Sequence, residues 1–454
     1  VGAASAVVQL ILGRNGHGHF RHGVHPAELK ELTAGLAIRR LPFPDEVVLP
    51  LRQHTGKPAV PVVKPGMHVE RGDTIAEADG FVSSPVHASA SGVVEDIGLH
   101  PHPDGSWSPA IRISVERYSS QAARPRLVPE WQALTAAQLI DAIRQAGVVG
   151  LGGAAFPTHV KLSPPKDVTI DTVLINGCEC EPYLTTDHRT MVEYPERVVL
   201  GLRIMLRCLG LRRAVIGIEK NKPDAIEAIR RSLPDDLDVS VRALDVKYPQ
   251  GAEKMLIASI LGREVPTGKL PLHVGVVVQN VASAATIAEV FETGLPLVER
   301  IVTVTGRGVR RPANLIVPVG TKIRDLVAAC GGLTDDAREI VFGGPMMGIA
   351  QANLDTPLLK GTSGVVVLSE GDVKPSRSYP CIRCGHCLDA CPVFLNPQLL
   401  GQLALKTRYE EMEVLHLADC MLCGCCGYTC PSNIPLPQLF ALAKTALRKR
   451  VPVA

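Results

Sequence analysis

The stretch Cys381-Ile-Arg-Cys384-Gly-His-Cys387-Leu-Asp-Ala-Cys391-Pro392 is followed by a second copy, Cys420-Met-Leu-Cys423-Gly-Cys-Cys426-Gly-Tyr-Thr-Cys430-Pro431. Both fit C-x2-C-x2-C-x3-C-P, the bacterial run that ligates [4Fe–4S] clusters. Three thiolates on a tight loop reach three iron corners of one cube, and the fourth cysteine points away to the other cube. The expected ligand sets are therefore Cys381, Cys384, Cys387 and Cys430 for one cluster, and Cys420, Cys423, Cys426 and Cys391 for the second. Cys425 is left over as a non-ligand. A structural zinc site takes four ligands and has no use for a third and fourth cysteine followed by proline. Between the motifs, residues 392–419 contain a helical stretch around Leu399 to Leu405, which predicts an α-helical two-cluster module.

Outward from this block, 454 residues predict about three domains. Apolar residues make up 46% and charged residues 20%, so most of the chain should fold. Aromatics are only 4% and the formal charge is +3, which argues against a nucleic-acid reader and against electrostatic hold on an anionic bilayer. Of 13 cysteines, four (Cys178, Cys180, Cys208, Cys330) are scattered and the rest crowd into residues 381–430. That distribution reads as metal ligation in a reducing compartment rather than a disulfide scaffold. No run approaches the ~18 apolar residues that cross a bilayer, and Val1 to Gly13 lacks a signal peptide's basic start and cleavage site. A soluble protein, at most peripheral to a membrane, is expected.

Composition divides the chain further. Residues 1–24 read as a tail, and His17, His19, His22 and His25 as solvated rather than metal-binding. Residues 25–125 alternate short β-like runs (Val47 to Leu49, Val60 to Val63, Phe81-Val82, Val86 to Ala88, Val93-Val94, Ile111 to Val115) with turns such as Lys64-Pro65-Gly66, a small all-β unit. Its pattern resembles the barrel-sandwich fold of lipoyl and biotinyl domains, but Ser84-Pro85-Val86-His87-Ala88 lacks a modifiable lysine, so a structural or docking role is expected. Residues 126–298 alternate helix and strand, opened by the capping box Thr135/Gln138, and predict an α/β domain on a mainly parallel sheet. Residues 299–370 are more β-like, and residues 371–454 hold the cysteine block.

A pair of clusters alone makes only a wire, and a wire needs a source. The candidate is Gly147-Val-Val-Gly150-Leu-Gly152-Gly153-Ala-Ala155-Phe156-Pro157-Thr158-His-Val-Lys161. Its G-x-G-x-x-A is not a dinucleotide fingerprint, because a helix precedes it and no acid follows at the required distance. A second glycine-lysine stretch, Gly262 to Lys269, has the wrong spacing for a P-loop. Glycines that expose backbone N–H groups, with Lys161 as a point charge, suit a phosphate.

Residues 150–161 also resemble the FMN loop G-R-G-G-A-G-F-P-T-G-x-K of the flavin-bearing, NADH-oxidising subunit of respiratory complex I. Three more segments match in order: Asn176-Gly-Cys-Glu179-Cys-Glu181-Pro182 (N-A-D-E-x-E-P), Tyr248-Pro-Gln-Gly251-Ala-Glu253 (Y-I-C-G-E-E) and Gln279-Asn280-Val-Ala-Ser283 (N-N-V-E-T). Residues 301–332 resemble the β-grasp (SLBB) domain that follows. The resemblance implies that Gly150, Gly152, Gly153 and Lys161 hold the FMN phosphate and that Asn176, Asn280 and Ser283 face the flavin. It implies that Glu179, Glu181 and Glu253 bond the NADH ribose or amide and that Phe156 stacks on the dinucleotide. Tyr248 and Gly251 join the cofactor set. Leu151, Cys178 and Ala252 depart from the pattern, which leaves nicotinamide binding less supported than flavin binding. Cys178 and Cys180 read as buried thiols.

With the two-cluster module and the opening His22-Gly-Val-His25-Pro-Ala-Glu-Leu-Lys30, nearly the whole chain resembles the RnfC family. Its members are the NADH-oxidising part of the Rnf complex, a membrane-bound ion-translocating NADH:ferredoxin oxidoreductase. That family implies a peripheral position on the cytoplasmic face of the bacterial inner membrane. The chain would pass electrons between NADH, FMN and two [4Fe–4S] clusters to membrane and iron–sulfur partners, and indirectly to ferredoxin. The alternatives are a soluble flavin–iron–sulfur cobalamin reductase of a bacterial microcompartment, or a flavin-free relay scaffold.

Overall fold

The computed structural model describes residues 18–122, 130–373 and 377–450. At its centre is a four-stranded parallel sheet in the order Asp238–Leu244, Arg213–Glu219, Thr172–Gly177, Val276–Asn280. Helices Ala136–Gln145, Pro195–Leu209, Pro223–Ser232, Glu253–Leu261 and Val281–Thr293 connect or flank the strands. The strands are near-continuous apolar runs because helices cover the sheet: Val173, Leu174, Ile175, Ile216 and Val276 are fully buried. Helices 195–209 and 281–293 touch backbone to backbone at Gly201, where a Cβ would stand 1.8 Å from the Ala284 carbonyl oxygen. The expected capping box is present: the Thr135 hydroxyl accepts from Gln138 N–H, and the Gln138 side chain reaches back to Thr135 N–H.

The all-β unit consists of a four-stranded and a three-stranded sheet, closed over Val47, Leu49, Ile75, Val86, Ile111 and Ile113. Phe81 and Val82, read as strand, lie in a bend instead, and both are exposed. Residues 38–40 leave the all-β unit and form the edge strand of the six-stranded β-grasp sheet, parallel to Ala313–Pro318. Three residues carry too little pattern to reveal their partner.

Nor is the opening segment a solvated tail in its described part. Phe20 and Val24 are buried, and Val24 pairs with Tyr248 through two backbone hydrogen bonds of 2.9 Å. His22 bonds the Leu388 carbonyl and lies 4.4 Å from the Phe394 ring. His17 lies outside the described residues. The cysteine block folds into short helices around Leu400, Met412, Phe440 and Ala443, including Pro397–Leu405, the helix expected between the motifs.

Candidate flavin and iron–sulfur site

The parallel sheet reverses its strand order between Thr172–Gly177 and Val276–Asn280, and in open α/β sheets ligands bind outside the carboxyl ends at such a point. Asn176 and Asn280 are register partners there. The glycine loop crosses the same edge: a Cβ on Gly152 would stand 3.3 Å from Asn280 Cβ, whereas one on Gly153, at φ +108°, would meet nothing within 4 Å. Ser283 accepts from Leu151 N–H at 2.8 Å and so ties the loop to helix 281–293. Asn280 caps that helix by accepting from Ala282 N–H. Asn176 donates to the Gly251 carbonyl at 2.8 Å, which adds the third matched segment to the edge. Lys161 donates to Glu253 at 2.9 Å and to the Val278 carbonyl at 3.0 Å.

Buried charge underlies this edge. Asp187 accepts from Asn280 at 2.6 Å and is pushed up to about 7 by burial and then by the charge of Glu179. Arg300, fully buried, donates to the Leu151 and Lys360 carbonyls at 2.8 Å. Lys360 in turn donates to the Gly147 and Pro85 carbonyls, and burial pushes it down to about 7. Lys30 holds the Glu179, Glu181 and Leu184 carbonyls. Thus the β-grasp domain and the opening segment both brace the loops that bear the site. Asp187, Arg300 and Lys360 were missed in the sequence because none falls in a motif, and nothing in sequence spacing brings Arg300 to Leu151.

Three of the expected site residues also make contacts within the protein. Glu179 accepts from the N–H groups of Asp187 and His188 at the start of helix Thr186–Glu193. Glu181 accepts from Met346 and Met347 N–H at 3.0 and 2.9 Å, and burial pushes it up to about 7. Both carboxyl groups thus accept from the protein's own amides, and Glu179, Glu181 and Glu253 are all half-buried. Tyr248, 1% exposed, does not face the glycine loop. Its hydroxyl donates to the Cys423 carbonyl at 2.8 Å, with Glu181 at 3.4 Å. Phe156 is half-buried at the loop, where its carbonyl accepts from Gly150 N–H.

The donor set and the edge fit FMN. Gly153 leaves open space at the loop, Lys161 supplies the cation, and buried amides of Gln250 and Gln279 beside the edge have unpartnered polar atoms.

The thiols of the two motifs are crowded by one another. Burial raises the Cys426 thiol, and the nearby charges of Cys420, Cys423, Cys391 and Cys387 raise it further. Cys391, Cys420, Cys423, Cys425 and Cys426 line one apolar cavity of about 360 Å³, counting its open mouth, with Pro437 and Phe440. The Cys387 thiol is likewise raised by burial and then by Cys430, Cys381 and Cys384. Residues 378–380 pair with 432–433 through Ser378, Tyr379 and Ser432, which brings Cys430 to the first motif. Among the described residues no three His, Cys, Asp or Glu converge closely enough for a single metal ion. Backbone N–H groups of Arg383 and Leu395 already point at the sulfurs of Cys381 and Cys391, at 3.4 and 3.3 Å. Cys425 is fully buried beside Tyr248.

This fold and site define a flavin- and iron–sulfur-bearing oxidoreductase component, and comparison with known proteins narrows it. Family models match in order: an RnfC barrel sandwich hybrid domain over residues 18–117, the Nuo51 FMN-binding domain over 143–289, an SLBB domain over 301–350 and a 4Fe-4S dicluster domain over 377–434. The C subunit of the proton-translocating ferredoxin:NAD(+) oxidoreductase complex of Clostridium ljungdahlii is 46% identical over 87% of this chain and 86% of its own. Its Na(+)-translocating counterpart in Acetobacterium woodii is 40% identical over 89% and 91%. The C subunit of the ion-translocating oxidoreductase complex of Rhodobacter capsulatus is 41% identical over 95% and 83%. The chain belongs to the RnfC family. It is therefore one member of a multi-subunit ion-translocating oxidoreductase complex, and no helix among its described residues is long and apolar enough to cross a membrane.

Proposed function

We propose that this chain exchanges electrons with NADH at the glycine edge and passes them singly through its two cysteine cradles to other subunits. The reading rests on one observation above all: the loop that carries Gly251 to the flavin edge also carries Tyr248, whose hydroxyl grips the second cysteine motif. Source and wire share one short loop, so the cradle of Cys391, Cys420, Cys423 and Cys426 is proximal to the flavin edge. The cradle of Cys381, Cys384, Cys387 and Cys430 is distal, with Cys381 and Cys384 exposed.

FMN, when bound, would take two electrons together as a hydride and release them one at a time, which is what joins a nicotinamide to one-electron clusters. The protein's part is placement. Gly150, Gly152, Gly153 and Lys161 would cradle the phosphate, with Lys161 turning from Glu253 to do so. Asn176, Asn280 and Ser283 would fix the loop and strand ends around the ring system, and Glu253 would then be available to a ribose hydroxyl. The partners are the membrane and iron–sulfur subunits of the complex, with ferredoxin reached through them, at the cytoplasmic face of the bacterial inner membrane.

Anaerobic NADH titration of the purified, cluster-loaded chain tests this. Flavin bleaching followed by the EPR signals of two reduced clusters is expected. No bleaching, or bleaching with NADPH alone, would remove the donor assignment; absence of releasable flavin would favour a relay scaffold.

A further inference from the structure

The two cysteine motifs are near-copies in backbone. Gly385 and Gly424 share φ +84°, with ψ −12° and −13°, and the residues before the second cysteine of each, Arg383 and Leu422, share φ +57°. A four-residue helix follows each glycine. Yet the loop around the second cysteine is covered in one copy and, among the described residues, exposed in the other. On the covered copy, the flavin domain donates a hydroxyl to the Cys423 carbonyl, and Gly424 packs on the β-grasp domain so closely that a Cβ would stand 2.5 Å from the Met346 carbonyl oxygen. At Gly385 a Cβ would meet nothing within 4 Å among the described residues. Residues 377–384 are exposed throughout, including both ligand cysteines; Ile382 is 69% exposed and Tyr379 51%.

We propose that the Cys384–Gly385 face is a docking surface for a one-electron iron–sulfur protein with an acidic rim, seated on this motif as the flavin domain sits on the other. This rests on the functional reading above and deepens it. Three observations select that occupant. The face exposes the ligand loop of the distal cluster, so whatever covers it lies within the shortest electron path off the chain. Its border is basic, with exposed Arg377 and Arg383 and the Arg377 guanidinium 5.3 Å over the Tyr379 ring; opposite charge steers and registers such encounters. Finally, the covered copy displays what fits this backbone: a hydrogen-bond donor for the carbonyl of the second cysteine and a flat backbone against the glycine.

The test compares hydrogen exchange of the isolated, cluster-loaded chain with that of the chain in its assembled complex. Residues 377–386 should become protected on assembly; equal exchange in the two states would overturn the proposal. The double variant Arg377→Glu, Tyr379→Ser changes only exposed side chains outside the Cys381–Cys387 ligand loop. It should keep both EPR signals and NADH-driven cluster reduction in the isolated chain, but lower NADH-driven electron delivery through the complex at least tenfold, with a weaker salt dependence. Undiminished delivery would overturn it. Should NADH fail to bleach the isolated chain, the donor assignment falls, while the exchange experiment still decides the docking face.

Discussion

The proximal and distal halves of the cysteine module are built alike and placed differently. Each has three cysteines on a loop turned by a positive-φ glycine, a short helix, and a fourth cysteine before proline. The proximal half has Tyr248, Met346 and Cys180 packed on it, and its Cys426 and Cys391 are buried, whereas the distal half leaves Cys381 and Cys384 in solvent. Ligand spacing thus decides that a cradle forms, while neighbours decide what it is for. A cluster shut away against the flavin edge is placed to receive, and one at the surface to hand on. Burial and hydrogen bonds to sulfur also separate cluster potentials, so the two should not be equivalent electrically.

The most severe way to probe the contrast is to remove one cradle at a time. Cys423→Ala should abolish reduction of the distal cluster by NADH although its own ligands are intact. Cys384→Ala should cost only the distal signal and leave flavin bleaching and the proximal EPR signal in place. Distal reduction surviving in Cys423→Ala would mean that the halves are not in series. A subtler break uses the paired glycines. Alanine at either forces a side chain into left-handed backbone, at about 1–2 kcal/mol. At Gly424 it must also displace Met346, adding about 1–3 kcal/mol as overpacking does. Limited proteolysis or loss of bound iron on dilution should therefore find Gly424→Ala markedly less stable than Gly385→Ala, and equal behaviour would deny the docking.

That asymmetry could not be read from the sequence, although both halves could. The spacing of the motifs was legible and predicts crossed ligation, with Cys391 and Cys430 as the exchanged ligands. The α/β layer was legible from alternating apolar strands and helices, and the glycine edge from four ordered segments. Contacts between domains were not. Tyr248 falls inside a segment that otherwise faces the flavin edge, and only the turn of the loop sends its hydroxyl to Cys423. Glu179 and Glu181 look like ligand acceptors because an isolated carboxylate always does; the backbone amides they meet in the fold could not be read from spacing. Residues 38–40 illustrate the same limit, since a three-residue strand has no period to report its sheet.

Tyr248→Phe sharpens the comparison at a single atom. It keeps the ring in its buried place but leaves the Cys423 carbonyl without its donor, at about 1–2 kcal/mol. The proximal cluster should become harder to reduce, because the lost O–H pointed its positive end toward the ligand loop, and the distal cluster's midpoint should stay put. Redox titration followed by EPR distinguishes the two. A shift in both, or in neither, would mean that the tyrosine merely fills space.

The smallest effect is a pH dependence confined to the proximal side. Glu181 joins the flavin domain to Met346 and Met347, and burial holds it at about 7, above its ordinary carboxylate value. Its folded pKa is raised, so the docked state binds more protons than the undocked one between about pH 4.5 and 7. Its contribution is complete below that window and is lost as pH rises through 7. Between pH 6 and pH 7 the docked arrangement should lose about 1 kcal/mol, since the group goes from mostly protonated to half ionised while its undocked counterpart is ionised throughout. Hydrogen exchange around Gly424 should quicken across that interval by more than the intrinsic chemical rate, and exchange around Gly385, which has no buried carboxylate beside it among the described residues, should follow the intrinsic rate alone. Glu181→Gln should remove the difference between the two glycines' pH profiles. If it persists in that variant, another titrating group joins the domains.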